Sequence, residues 1–174
     1  PRLAVGVGFA CHVIAGLGMA HLDMNLTLWD VFWTNFVQGF ALGIIYVPVT
    51  VIAFSSLSSQ DFAEGSAVFH MLRNVGSSIF ISISVTLVVT STAANYAGLT
   101  EFGTLFNELF RYPGIAGIWN VEEQASLISL SGEMYRQGAM IGYINAFYLY
   151  TFTALLAFPL LLLVKTGGDV GMRR

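Results

Sequence analysis

Four runs of this chain carry no Asp, Glu, Lys or Arg: Leu3–Leu22, Val31–Gln60, Asn74–Thr100 and Gln137–Val164. Each reaches or exceeds the roughly 20 residues a helix needs to cross a hydrocarbon core about 30 Å thick. Inside such a core no water meets the backbone, so a run of this kind satisfies its own N–H and C=O groups as helix. The runs fill over half of the 174 residues, and only 10% of the chain is charged, against about 25% in a soluble domain. The fold class that follows is an all-α, polytopic membrane protein, and a soluble core is excluded. The chain forms one transmembrane region, 1–174, with spans at about 3–22, 31–56, 65–94 and 137–164, an external loop at 95–136 and a tail at 165–174.

The spans differ in character. The first is rich in small residues (Gly6, Gly8, Ala15, Gly16, Gly18, Ala20), which let helices approach closely in lipid. It holds His12 near its middle, His21 near its end, and the single cysteine, Cys11, so no disulfide framework exists. Pro1-Arg2 leads directly into this full-length span, without the short apolar core and cleavage site of a signal peptide, and the chain reads as a piece of a longer one. The second span opens on Trp29, Asp30 and Trp33, which predicts an interfacial aromatic anchor with Asp30 as the N-cap. It contains Gln38, the pair Gly39-x-x-x-Gly43, and Pro48, where a kink is expected because proline cannot donate to the carbonyl of Ile44. The fourth carries Gly138-x-x-x-Gly142 and Asn145.

The third span is the most demanding. Asp61 with Glu64 three residues on predicts a capping box. Counting about 1.5 Å per residue from Glu64 puts Arg73 roughly 13 Å deep, near the midplane. A charge there costs about 2.5–3.5 kcal/mol on insertion scales. Either Arg73 snorkels to the headgroups or it serves a polar interior; its depth and the adjacent Asn74, Gly76, Ser77 and Ser78 favour the interior. Whether it meets a substrate or locks helices together is left open. Asn35, Gln38 and Tyr46 fall close to one face of the second span and form a candidate cavity lining, with ordinary interhelical hydrogen bonding as the alternative.

In the loop, Phe102, Leu105, Phe106, Leu109 and Phe110 recur at helical spacing opposite Glu101, Thr104, Glu108 and Arg111, which predicts an amphipathic helix lying in the membrane interface or capping the bundle. Asn120 with Glu123 predicts the start of a second, through Met134. Basic residues set the orientation: Arg2, Lys165, Arg173 and Arg174 flank the termini, while the turns at 23–30 and 95–136 are acidic. The positive-inside rule makes both termini cytoplasmic and the long loop external. No nucleophile elbow, HExxH, phosphate-binding glycine loop or CxxC occurs, so nothing points to an enzyme, and no basic stripe points to nucleic acid. No metal or cofactor is called for. A haem-carrying membrane anchor, with two of His12, His21 and His70 as ligands, is the non-transport alternative.

Three stretches resemble a known series: Phe36-Val37-Gln38-Gly39-x-x-x-Gly43-x-x-Tyr46-Val47-Pro48, then Arg73-Asn74-Val75-Gly76-Ser77-Ser78-Ile79, then Arg136-Gln137-Gly138-Ala139-Met140-Ile141-Gly142-Tyr143-x-Asn145-x-Phe147. They resemble the EmrB-like group of 14-helix drug:proton antiporters in the major facilitator superfamily, over essentially the whole chain. The resemblance implies the last four helices of the C-terminal half, in a bacterial inner membrane. The second helix would line the central cavity, the third would lie beside it, and the outer two would pack against lipid. It implies proton-coupled efflux of small amphipathic compounds, or export of a dedicated metabolite or siderophore by the same fold. Partners would be lipid, the remaining N-terminal helices, substrate and protons, and a periplasmic adaptor protein on the 95–136 loop. Gly76, Gly39, Gly43, Gly138 and Gly142 would be helix-packing positions. Two departures stand out: members commonly have a proline where this chain has Ser58-Ser59-Gln60, and an acidic residue where it has Asn145.

Overall fold

The computed structural model describes residues 2–55, 57–104, 106–116, 119 and 123–163. It is all-helical: α1 (Arg2–Ala20), α2 (Leu28–Phe54), α3 (Phe62–Phe102), a 3-10 turn (Glu108–Arg111), the one-turn α4 (Pro113–Ala116) and α5 (Gln124–Leu163). Among the described residues four helices are long and apolar enough to cross a membrane: α1, α2, α3 and α5.

Two of these are longer than any bilayer needs. α3 has 41 residues and α5 has 40, about 60 Å each at 1.5 Å per residue. Even tilted by about 40°, a helix uses only ~26 residues to cross 30 Å of hydrocarbon. Each therefore carries a dozen or more residues beyond the hydrocarbon. This revises the loop expected at 95–136. Its two ends are continuations of α3 and α5, and the amphipathic helix expected through Phe102 and Phe110 does not form, because α3 ends at Phe102 and a bend at 103–104 precedes the 3-10 turn. Leu105, and the expected cap at Asn120 with Val121 and Glu122, lie outside the described residues, as do Lys165, Arg173 and Arg174 in the tail.

The helix starts are also chemically different from expectation. Thr27, not Asp30, is the N-cap of α2: the Asp30 amide donates to the Thr27 hydroxyl at 3.3 Å, and the Thr27 amide donates back to the Asp30 carboxylate at 3.0 Å. Asp30 is thus the third residue of a complete capping box. The reason is register, since α2 begins at Leu28, three residues before the charge-free run. Before α3, Asp61 turns back rather than forward. Its carboxylate accepts from the Ser58 hydroxyl at 2.7 Å, and its amide donates to the same oxygen at 3.3 Å.

The chain divides into two compact units, 1–83 with 147–174, and 84–146. In the first, α1 and α2 form a hairpin whose close faces carry small residues. Val5, Ala15, Met19 and Ala20 of α1 are buried, as are Ala41 of α2 and Ala154 of α5. Gly8 lies so near α2 that a β-carbon on it would stand 3.2 Å from the Ala41 carbonyl oxygen, and one on Gly16 would stand 2.9 Å from the Tyr150 ring of α5. Close contact of backbones, which lipid does not provide, is what holds helices together in a membrane. The second unit is an antiparallel pairing of α3 and α5, in which Thr92 is buried and a β-carbon on Gly138 would meet its carbonyl oxygen at 3.2 Å.

Candidate functional site

Arg73 lies about 16 Å along α3 from Phe62. Its guanidinium carbon sits 5.0 Å from the centre of the Tyr46 ring on α2, inside the ~6 Å over which a ring face attracts a cation. A stacked guanidinium keeps its N–H edges available for an acceptor, because the aromatic face satisfies charge without using donors. Arg73, Asn74 and Tyr46 are all exposed in this chain. The neighbouring hydroxyls are already engaged: Ser77 and Ser78 both donate to the Asn74 carbonyl, at 3.0 and 2.9 Å. One turn of α3 therefore presents the Arg73 cation over an aromatic ring, with an exposed Asn74 next in sequence and its serines folded back onto their own helix.

The set expected on α2 is split. Tyr46 meets Arg73, whereas Gln38 is turned towards α5, where its amide lies alongside the Tyr150 hydroxyl without reaching hydrogen-bond geometry, since that oxygen is buried and unpartnered. Asn35 joins neither; its amide donates to the Val31 carbonyl at 2.8 Å. The helix runs on through Pro48.

Tyr150 was not distinguishable in the sequence from the aromatic run around it, and it belongs to the second polar cluster. Its ring packs on His12 of α1, with centroids 4.5 Å apart, and the Nδ1 atom of His12 is likewise buried without a partner. The other histidines are placed differently. His21 Nδ1 is 2.7 Å from the Leu17 carbonyl oxygen, and His70 packs edge-on against Phe69. Among the described residues, no group of three or more His, Cys, Asp or Glu side chains could hold a metal ion.

The glycines also divide. A β-carbon on Gly142 would stand 2.8 Å from the Val88 carbonyl oxygen and 2.6 Å from the Thr92 hydroxyl, so this position and Gly138 allow α5 to press on α3. Asn145 donates to the Ser91 hydroxyl at 3.1 Å, and the Tyr96 and Ser131 hydroxyls bond at 2.9 Å. At Gly39, Gly43 and Gly76 a β-carbon would meet no atom of the described residues within 4 Å beyond its own stretch of helix.

Comparison with known proteins bears on what such helices serve. No family model and no solved structure matches. Multidrug export protein EmrB of Escherichia coli (strain K12) is 31% identical over 96 residues, 54% of this chain and 19% of that protein. The chain is similar to part of the EmrB-like multidrug exporters. A probable multidrug resistance protein EmrY of the same strain is 28% identical over 120 residues, 61% of this chain and 23% of the relative. EmrB of Haemophilus influenzae is 24% identical over 150 residues, 85% of this chain and 29% of the relative. The chain thus spans roughly a fifth to three-tenths of the length of these EmrB-like relatives. The likeness and the four apolar helices together support a multi-pass inner-membrane protein.

Proposed function

We propose that this chain is the C-terminal part of a proton-coupled multidrug efflux transporter, exporting small amphipathic compounds by alternating access. The observation that carries this reading is the likeness to proteins named multidrug exporters, which reaches 85% of the chain in one relative. The geometry agrees in kind. α2 and α3 present the polar groups, Arg73 on Tyr46 with Asn74 beside it, at a depth where a charge is retained for use. Rocking of two halves of the transporter would expose this face alternately to the two sides, with substrate bound near the midplane.

In this reading α2 and the first half of α3 face the cavity, and the remaining N-terminal helices cover what is open here. Both termini of the chain are cytoplasmic. The projecting ends of α3 and α5 are then periplasmic, and with exposed Phe102, Phe106, Glu101 and Glu108 they offer a contact for an adaptor protein. The test is transport by the whole protein in proteoliposomes. Several chemically unlike amphipathic drugs should be moved when a pH gradient is imposed, and movement should stop when an ionophore collapses it. Transport of one metabolite alone, or indifference to the gradient, would overturn the reading.

A further inference from the structure

His12 sits at the centre of α1, about 15 Å from the start of the helix. Its Nδ1 atom and the Tyr150 hydroxyl are the two buried side-chain polar atoms of the described residues that lack a hydrogen-bond partner. They belong to rings in contact, 4.5 Å between centroids. The two rings, though not these buried atoms themselves, line one cavity of about 300 Å³ with Phe9, Phe80, Thr153 and Ala154. Two orphaned polar groups in one place are expensive, at about 1–3 kcal/mol each. The room beside them is enough for water, which occupies about 30 Å³ per molecule in the liquid and needs two to four polar partners. Once the rings part slightly, Nδ1, the Tyr150 hydroxyl and the Gln38 amide next to that hydroxyl would supply that number.

We propose that His12, with Tyr150 and Gln38, is a hydrated proton-binding site in the middle of the membrane. When α1 and α5 part slightly, water from the cavity bonds to Nδ1 and to the Tyr150 oxygen. A proton arriving as hydronium passes to the imidazole lone pair, leaving neutral water behind, and returns by the same route. The surroundings make this event simple. α5 contributes Tyr150 and Thr153 to the lining, α3 contributes Phe80 and α1 contributes Phe9, while Gln38 of α2 lies beside the Tyr150 hydroxyl. Among the described residues neither a carboxylate nor a Lys or Arg lines the cavity, so protonation of His12 is the one charge change of this lining in the neutral range. A new charge in a site without a counterion favours whichever arrangement of α1 and α5 admits more water. That is how the site would couple to conformation in a proton-driven exporter, the reading on which it rests.

The test is the pH profile of efflux by the whole transporter, measured as kcat and KM between about pH 5.5 and 8, the range in which an ordinary histidine titrates. The unaltered protein should show an inflection in kcat that His12→Gln abolishes and Tyr150→Phe displaces. An inflection kept by His12→Gln at the same pH, or none in the unaltered protein, would overturn the proposal. Radiolytic water footprinting of the unaltered protein needs no variant. With rates corrected for intrinsic reactivity, His12 and Tyr150 should be oxidised several-fold faster than Phe152 of α5, which lies outside the cavity, and rates no higher than that of Phe152 mean a dry cavity and no site. If efflux ignores an imposed pH gradient altogether, the proton-coupled reading fails as well. If efflux is gradient-driven and His12→Gln keeps the profile, only this inference fails.

Discussion

Two glycine pairs of identical spacing end up in opposite circumstances. Gly138-x-x-x-Gly142 on α5 is pressed against α3, with carbonyl oxygens of Thr92 and Val88 where a side chain would go. Gly39-x-x-x-Gly43 on α2 meets nothing of the described residues, and its side of the helix is an open strip with Phe36, Phe40 and Val47 more than half exposed. The first pair has found its partner within this chain. The second, like Gly76 on α3, meets none of the described residues, and in the proposed transporter the N-terminal helices would cover it. Spacing states that a helix face is shallow enough for close approach; it does not state what approaches.

The comparison can be broken most forcefully at Gly142. In Gly142→Leu the new side chain runs into the Val88 carbonyl, which belongs to a helix backbone and cannot step aside. The cost should sit at the top of the overpacking range, about 3 kcal/mol or more. It would be read as lost folded yield and a lowered melting temperature in detergent. In this four-helix chain alone Gly43→Leu should leave both within experimental error, as surface changes do at about ±0.5 kcal/mol, yet the same change should impair transport when made in the whole protein. Equal destabilisation by the two variants would remove the contrast.

A smaller effect on fold, and a large one on function, is expected at Arg73. Its contact with the Tyr46 ring is worth about 0.5–2 kcal/mol, so Arg73→Ala should fold. Efflux and resistance should nevertheless fall sharply at equal expression, with Arg73→Lys recovering part, because an ammonium keeps the charge but not the planar donor edge. Tyr46→Phe retains the ring and should be nearly silent. If Arg73→Ala transports normally, the open α2–α3 face is a packing surface and not a functional one.

What could be read from residues alone follows from the range of the interactions involved. The charge-free runs predicted four long apolar helices because insertion energetics act on every residue of a span independently. Helix ends were read less well. Thr27 displaced Asp30 as cap, and Asp61 turned to Ser58, since caps depend on where the first turn begins. The polar grouping on α2 was half legible. A face at 3.6 residues per turn joins Asn35, Gln38 and Tyr46 only loosely, and neighbours on two different helices divide them. The His12–Tyr150 contact and the Tyr96–Ser131 bond were not legible, because pairs 138 and 35 residues apart in sequence leave no local periodicity.

The smallest predicted effect asks what kind of joint the closed pair makes. Beside Gly142, Asn145 donates to Ser91, and the intuition that a hydrogen bond in lipid must dominate would assign the joint to it. Measured interhelical bonds in membranes average only about 0.6 kcal/mol, with about 1.7 at most, because the separated helices find other partners. Asn145→Ala should therefore lower stability by roughly 0.6 kcal/mol, a fraction of the loss in Gly142→Leu. Ser91→Ala should do much the same, and the double variant should cost less than the sum, since the two residues share one bond. A loss in Asn145→Ala that rivals the Gly142 variant would mean the α3–α5 joint is held by polarity. The expected ordering means it is held by shape, and that an open glycine strip such as Gly39–Gly43 has the same capacity to bind once a partner of the right contour arrives.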